Sequence, residues 1–269
     1  MSGALPESPA LDLDLADGWL TVWFNEPEAR NALTAERAEG LMALAEALQD
    51  RRDVRGVVFR GRGGVFCAGG DLKAFKRVFQ GGASRDEVVA LSRDAGALFD
   101  AVDGLPQLTV MAVEGAAMAG GLGLACCGDV VIAEAGARFG LSETRIGLTP
   151  AQIAPFVLRR LGPRLGRRLM LTGAMLDAAA AAEAGLVDEA AEGPDGMEAA
   201  LARWRATLRP AAPDAVASTK ALIRALPSLD RRGQIEAAAE SFADAMLSEE
   251  GREGVESFVE KRKPNWAGS

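Results

Sequence analysis

The chain has 269 residues, enough to bury a large core as one α/β domain or two small ones. Its 38 acidic against 30 basic residues leave a net charge of −8, which argues against a general nucleic-acid or anionic-membrane surface as partner. Histidine and tyrosine are absent; this removes Ser-His-Asp and Cys-His nucleophiles, histidine-containing zinc sites and a histidine base, and leaves proton transfer to Asp, Glu, Lys, Cys or water.

Residues 1–7 lack the basic start and apolar core of a secretory signal. Residues 11–25 alternate in polarity on both sides of Asp17-Gly18, the pattern of a hairpin with a two-residue turn. An irregular loop follows at 26–33. A helix opens at Thr34 and runs through Arg37, Leu41, Leu44, Ala45 and Leu48, whose apolar members recur at helical spacing. A strand over 54–60 leads to a glycine turn, then come a short helix over 72–79, a link at 81–84 and a helix over 85–102.

A strand over 109–113 runs into a second glycine turn and a small-residue helix ending near Gly128. The apolar uncharged stretch 115–128 is 14 residues long, too short to cross a bilayer. Strands are expected at 130–133 and 137–141. From there the pattern reads as helical to the finish, over 151–161, 163–172, 177–184, 196–208, 213–226, 231–247 and 249–262, with breaks at Gly162-Pro163, Gly173, Gly185, Pro210 and Pro227. The three cysteines, Cys67, Cys126 and Cys127, imply no disulfide framework and cannot form a four-cysteine zinc site. No metal is expected, and a reducing cytoplasm is the expected location.

The two glycine turns, Cys67-Ala68-Gly69-Gly70-Asp71 and Ala119-Gly120-Gly121-Leu122-Gly123, share one context: each follows a strand-like run and opens a helix. Glycine lets the main chain approach a ligand closely, and the first amides of a helix have no partner within it. Two such amides from different loops can grip one carbonyl oxygen as an oxyanion hole, each donor being worth about 2.7–4 kcal/mol. Glycines kept only for packing at two helix N-termini are the bland alternative.

Together with Arg30-Asn31-Ala32-Leu33, Phe139-Gly140-Leu141-Ser142-Glu143, Gly147-Leu148-Thr149-Pro150, Ala184-Gly185-Leu186-Val187 and Phe258-Val259-Glu260-Lys261-Arg262, these turns make the chain resemble the crotonase superfamily, the enoyl-CoA hydratase/isomerase group, over about residues 11–266. The resemblance implies an α/β spiral of ββα units over 1–205 and a C-terminal helical region over 206–269 that assembles homotrimers or dimers of trimers. It implies an acyl-CoA thioester as substrate, with coenzyme A entering as part of that substrate and no separate cofactor. The thioester carbonyl is expected between the amides of Ala68 and Gly120. Ala29, Arg30 and Ala32, with Gly69, Gly70, Asp71, Leu72 and Gly121, are expected along the substrate. Phe258 and Lys261 resemble the aromatic and basic pair that meets coenzyme A, often from a neighbouring subunit.

Hydratases of this family usually hold one water between two glutamates. The second position is Glu143 here; the first is Gly123, which cannot move a proton. Three chemistries therefore stay open: hydration with one glutamate, Δ3,Δ2-enoyl-CoA isomerisation, and another enolate reaction or mere acyl-CoA binding in a drifted pocket. Hydration by an acyl-CoA lyase is the leading expectation. Residues 150–156 with Gly123 also resemble hydratases of branched glutaconyl-type CoA esters, which bear a carboxylate of their own. Arg145 is expected to keep Glu143 ionised. Asp71 and Asp129 are expected to bond loop amides or cap helices, and the vicinal cysteines to lie in the core. A peptidase on the related spiral is disfavoured by the absence of histidine.

Overall fold

The alternating residues on either side of Asp17-Gly18 form β1 (Leu11–Ala16) and β2 (Trp19–Phe24), antiparallel with Ala16 opposite Trp19. Asp17 and Gly18 both take left-handed backbone, φ 51° and 74°, the two-residue turn whose twist suits paired strands. The computed structural model describes residues 4–267. Next come α1 (Ala35–Ala47), β3 (Gly56–Gly61), α2 (Leu72–Gln80), α3 (Arg85–Asp103), β4 (Leu108–Val113) and β5 (Ala116–Met118). The chain continues through α4 (Gly120–Cys127), β6 (Val130–Glu134), β7 (Arg138–Gly140), α5 (Ala154–Thr172), β8 (Met175–Asp177), α6 (Ala178–Glu183) and β9 (Glu189–Ala191). It closes with α7 (Gly193–Leu208), α8 (Pro213–Ala225), α9 (Arg231–Leu247) and α10 (Glu249–Val259).

The larger sheet has the order β1-β2-β3-β4-β6-β9 and is parallel from β2 onward. Successive residues of a strand point to opposite faces, so β3, β4 and β6 feed two cores at once. Val57, Phe59, Met111, Val113, Val131 and Ala133 join the cluster shared with α1, α3, α4 and α5. Val58, Val110, Ala112, Val130 and Ile132 join a second cluster with Met197, Ala200 and Leu201 of α7. Strands buried on both faces must be apolar nearly throughout. Arg60 of β3 is tolerated because Glu114 (2.9 Å) and Glu198 (2.5 Å) pair with it.

A smaller sheet, β5-β7-β8, stands beyond the C-terminal ends of β3 and β4. The parallel bridge Cys67↔Ala117 joins the first glycine turn to it. The expected hairpin, α1, α3, β3, β4 and β6 are present, and α5 breaks at Gly162 (φ 70°) as the sequence indicates.

Several elements differ from expectation. β5, β8 and β9 are only three residues long each and were not expected as strands; β8 and β9 fall almost wholly between the expected helices 163–172, 177–184 and 196–208, and pair with β7 and β6. Residues 151–153 form a single 3₁₀ turn ahead of α5. The division expected after 205 falls inside α7, which continues because Leu208 is itself buried in the second cluster.

Helix α8 docks onto the sheet through charges. Lys220 Nζ donates to Gln107 O (2.8 Å) and Asp129 Oδ2 (2.5 Å), and Arg224 pairs with Asp103 (3.0 Å) and Asp100 (2.7 Å). Asp129 also accepts from Thr109 N (2.7 Å) and Thr109 Oγ1 (2.9 Å), the structural role expected of it. These contacts gather at the N-terminal ends of β4 and β6. α8 and α9 contribute no buried residue and α10 only Ser257.

Candidate active site

The first glycine turn is clamped before it opens. Phe66 N donates to Glu114 O (2.9 Å), Cys67 N to Ala116 O (3.0 Å), and Met118 N to Cys67 O (2.9 Å). Gly69 then adopts φ 98°, and a Cβ there would lie 2.8 Å from both Ala119 Cβ and Met118 O. No side chain fits where the two turns touch.

The second turn is held in strain. Ala119 has φ 50° and ψ −120°, a conformation that costs an L-residue on the order of 1–3 kcal/mol. Its N–H donates to Gly140 O of β7 (2.8 Å), which aims the start of α4 at the first turn. A Cβ on Gly120 would sit 3.7 Å from Gly70 N and 3.0 Å from Leu33 Cδ1. The amides of Gly70 and Gly120 have no acceptor among the described residues. Two unengaged donors therefore lie close together where the turns meet.

Ala68 is not one of these donors. Its N–H is bonded to Arg30 O (3.0 Å), and Leu33 N donates to Gly69 O (2.7 Å). These bonds tie the 29–33 loop to the turn, occupy the expected Ala68 donor and leave Gly70 free. Gly121 is likewise a packing residue: a Cβ there would meet Cys67 O at 2.3 Å. Asp71 caps α2, its Oδ1 accepting from Lys73 N (2.9 Å) and Ala74 N (3.0 Å). Phe75 of α2 rests beside Gly70, its Cζ 3.0 Å from where a Cβ would be. Leu72 is exposed at the same rim.

In the 29–33 loop Arg30 and Asn31 both have positive φ, 52° and 53°. Asn31 is buried, donating to Arg62 O (2.9 Å) and Val65 O (2.6 Å) and accepting from Glu26 N (3.0 Å). Buried Arg37 reaches Ala32 O and pairs with Glu26 (2.7 Å). Arg30 points to solvent with no carboxylate partner among the described residues, while Ala29 and Ala32 are half-buried beside it.

Glu143 opens a one-turn 3₁₀ segment, Glu143–Ile146, directly after β7. The carboxyl is half-buried and Oε2 has no hydrogen-bond partner. Burial pushes its pKa up, opposed only by a bond from its own backbone amide. Arg145 does not pair with it: the guanidinium donates instead to Thr172 O at the end of α5 (3.4 Å). The expectation that Arg145 holds Glu143 ionised is therefore overturned, since that charge is turned toward a helix end.

The sequence pattern of the enoyl-CoA hydratase/isomerase family matches residues 15–269. Human enoyl-CoA hydratase domain-containing protein 2, mitochondrial, is 33% identical over 256 residues, covering 93% of this chain and 86% of that one. The chain belongs to the enoyl-CoA hydratase/isomerase family.

Two solved structures share its mixed α/β crotonase fold. Pseudomonas aeruginosa AtuE superposes with a TM-score of 0.92 at 43% identity, covering 96% of this chain and 99% of that one. An enoyl-CoA hydratase/isomerase from Marinobacter aquaeolei superposes with a TM-score of 0.90 at 36% identity, with the same coverage. Within this crotonase-family chain the position of the absent first glutamate, Gly123, is not an open space. A Cβ there would lie 2.2 Å from Ile153 Cγ2 and 2.6 Å from Ile153 Cβ, and Ile153 is 4% exposed.

Phe258, 85% exposed, and Lys261, at φ 56°, lie at the end of α10. That helix packs on α8 and α9, at the opposite end of the sheet from the glycine turns, so this chain's own Phe258 and Lys261 stand away from its site. The buried cysteines are poor nucleophiles: desolvation pushes Cys67 up to about 11 and Cys126 to about 12, and raises Cys127 as well. Among the described residues no helix is long and apolar enough to cross a membrane.

Sequence reading found both turns and Glu143 and placed Gly70 along the substrate, but assigned the free amide to Ala68 instead of Gly70 and missed Phe75 and the packing of Ile153 against Gly123. Which glycine amide is free depends on the bonds from Arg30 and Leu33, residues more than thirty positions away in the chain.

Proposed function

We propose that this crotonase-family enzyme is an acyl-CoA lyase of the hydratase type. The carrying observation is the pair of unengaged amides, Gly70 and Gly120, at the contact of the two turns, with Glu143 following the strand to which the second turn is bonded. In this reading the thioester oxygen of a 2-enoyl-CoA accepts from both amides, so charge that builds up in the enolate meets donors already in place. Glu143 takes a proton from water as its oxygen bonds to Cβ, and the proton returns to Cα. A carboxylate whose pKa is raised by burial is a stronger base than a solvated one once ionised. Branched glutaconyl-type thioesters are the proposed substrate class, since their own carboxylate supplies a polar group that this site lacks. Arg30 and the 68–72 segment would hold the coenzyme A portion.

A second reading, Δ3,Δ2-enoyl-CoA isomerisation, is favoured by Ile153. An apolar side chain stands where a second carboxylate would be, and one carboxylate suffices to carry a proton between two carbons. The exposed apolar side chains of α8–α10, among them Ile223, Phe242, Met246, Leu247 and Phe258, support assembly into a trimer or a dimer of trimers. In such an assembly Phe258 and Lys261 would reach a neighbour's substrate.

The test is a panel of straight and branched 2-enoyl-CoA and 3-enoyl-CoA thioesters with product mass measured. A gain of one water supports the lyase. Double-bond migration with solvent deuterium uptake and no mass of water supports the isomerase. Binding without turnover across the panel refutes both and leaves an acyl-CoA-binding protein.

A further inference from the structure

Glu143 rides on a single 3₁₀ turn, and so short an element does not hold itself in place. Within the turn Arg145 N donates to Ser142 O (3.0 Å) and Leu148 N to Glu143 O (2.9 Å). Two further bonds reach outward, and both end on the last carbonyls of α5: Thr144 Oγ1 donates to Met170 O (3.1 Å) and Arg145 Nε to Thr172 O (3.4 Å). Carbonyls at a helix C-terminus have no partner within the helix and carry the negative end of its dipole, so a cation there is favourable. Gly173, the left-handed cap at φ 64°, supplies the seat: a Cβ on it would lie 2.6 Å from Arg145 Nε and 2.9 Å from Arg145 Cγ. The Arg145 stem lies flat across that glycine.

The carboxyl of Glu143 has no side-chain partner to orient it, and its Oε2 is unbonded. Its place is therefore set by its backbone. We propose that Arg145 is a positioning residue that seats Glu143 by clasping the C-terminus of α5 across Gly173, acting through the main chain and not through its charge on the carboxylate. The inference rests on the reading of Glu143 as the acid/base group.

The experiment compares Arg145→Ala, Arg145→Lys, Gly173→Asn and Glu143→Gln with the parent, on whichever enoyl-CoA thioester the parent turns over. Asparagine accepts the left-handed cap, but its Cβ displaces Arg145. Arg145→Ala and Gly173→Asn are expected to lower kcat by about tenfold to a hundredfold, as misplacement of a reacting group does, with KM changed less than about twofold. Arg145→Lys, still cationic at the helix end, is expected to recover part of the loss. Two readouts need no turnover: hydrogen exchange at the amides of Arg145 and Leu148 is expected to quicken about tenfold in Arg145→Ala, and a carbon-13 NMR titration of the Glu143 carboxyl, assigned by its loss in Glu143→Gln, is expected to keep its midpoint. A rise of that midpoint by more than about half a pH unit in Arg145→Ala would show a charge role and overturn the proposal. Parent-like kcat in Arg145→Ala beside an inactive Glu143→Gln overturns the clasp alone, whereas a fully active Glu143→Gln overturns the acid/base reading and the clasp with it.

Discussion

Ile153 stands in the space that a side chain on Gly123 would enter, its Cγ2 2.2 Å from the position of a Cβ there. The missing carboxylate is thus replaced by hydrocarbon and not by a vacancy. Restoring a glutamate at 123 requires Ile153 to leave. Gly123→Glu is expected to lower stability by about 1–3 kcal/mol, the usual cost of overpacking, and to leave hydration unimproved. Gly123→Glu with Ile153→Ala is expected to regain much of that stability. Urea unfolding of the parent, the two single variants and the double variant measures it; equal midpoints for parent and Gly123→Glu would refute the packing account.

Ionising Glu143 in its buried place is unfavourable, so its folded pKa lies above the ordinary 4.5. The sign follows. Between 4.5 and the raised value the folded chain binds more protons than the unfolded one, so this group's contribution to stability is full below 4.5 and is lost as pH rises through the folded value. Glu143→Gln is expected to abolish that component, so its stability relative to the parent increases with pH across the same window. Activity should move the other way: kcat/KM of the parent falls on the acid side with a midpoint above 4.5, and Glu143→Gln loses about 10²–10⁴-fold. Denaturant unfolding from pH 4 to 8, set beside the pH–rate profile, checks both halves.

The two glycines of the first turn should respond differently to one added methyl group. Gly69→Ala forces a Cβ against Met118 O and Ala119 Cβ at 2.8 Å, at a φ of 98°. It is expected to pry the turns apart and cost about 10²–10³ in kcat, the loss of one oxyanion donor. Gly70→Ala meets only the edge of Phe75 at 3.0 Å, keeps its N–H, and is expected to change kcat less than about fivefold. Steady-state kinetics of the pair decides; equal losses would refute the assignment of the free amide.

Thiol chemistry offers a check on the core. All three cysteines are buried, and desolvation raises the pKa of each. The folded protein is expected to show no fast-reacting thiol toward a disulfide reagent at pH 8, and three after denaturation. Rapid labelling of Cys67 in the native state would show that the wall behind the first turn opens.

Much of the architecture was legible because each signal was local. The hairpin announced itself through Asp17-Gly18, the strands through apolar runs, and the breaks of α5 through Gly162 and Gly173. Glu143 was legible from its place at the end of β7. What the sequence hid was set by long-range contacts. Ala68 and Gly70 differ by two positions, and only the carbonyl of Arg30 decides which amide is engaged. Ile153 gave no sign of filling the space beside Gly123, thirty residues earlier. Arg145 invited a charge pairing with its neighbour Glu143 until the end of α5 was seen to claim it. β8 and β9 were hidden because runs of three residues carry no readable periodicity and pair only when strands from elsewhere are already present.

The charged seat of α8 has a broader consequence. Lys220, Arg224 and their partners Asp129 and Asp103 grip the end of the sheet from which the strands set out, while the amides of Gly70 and Gly120 lie beyond the end where β3 and β4 stop. About 20 Å of rigid strand separates the two regions. Substitutions on α8 and α9 can thus reshape the outer helical face without moving the glycine turns or the segment that carries Glu143, and the turns can change without unseating α8. The two ends of such a chain are free to vary independently.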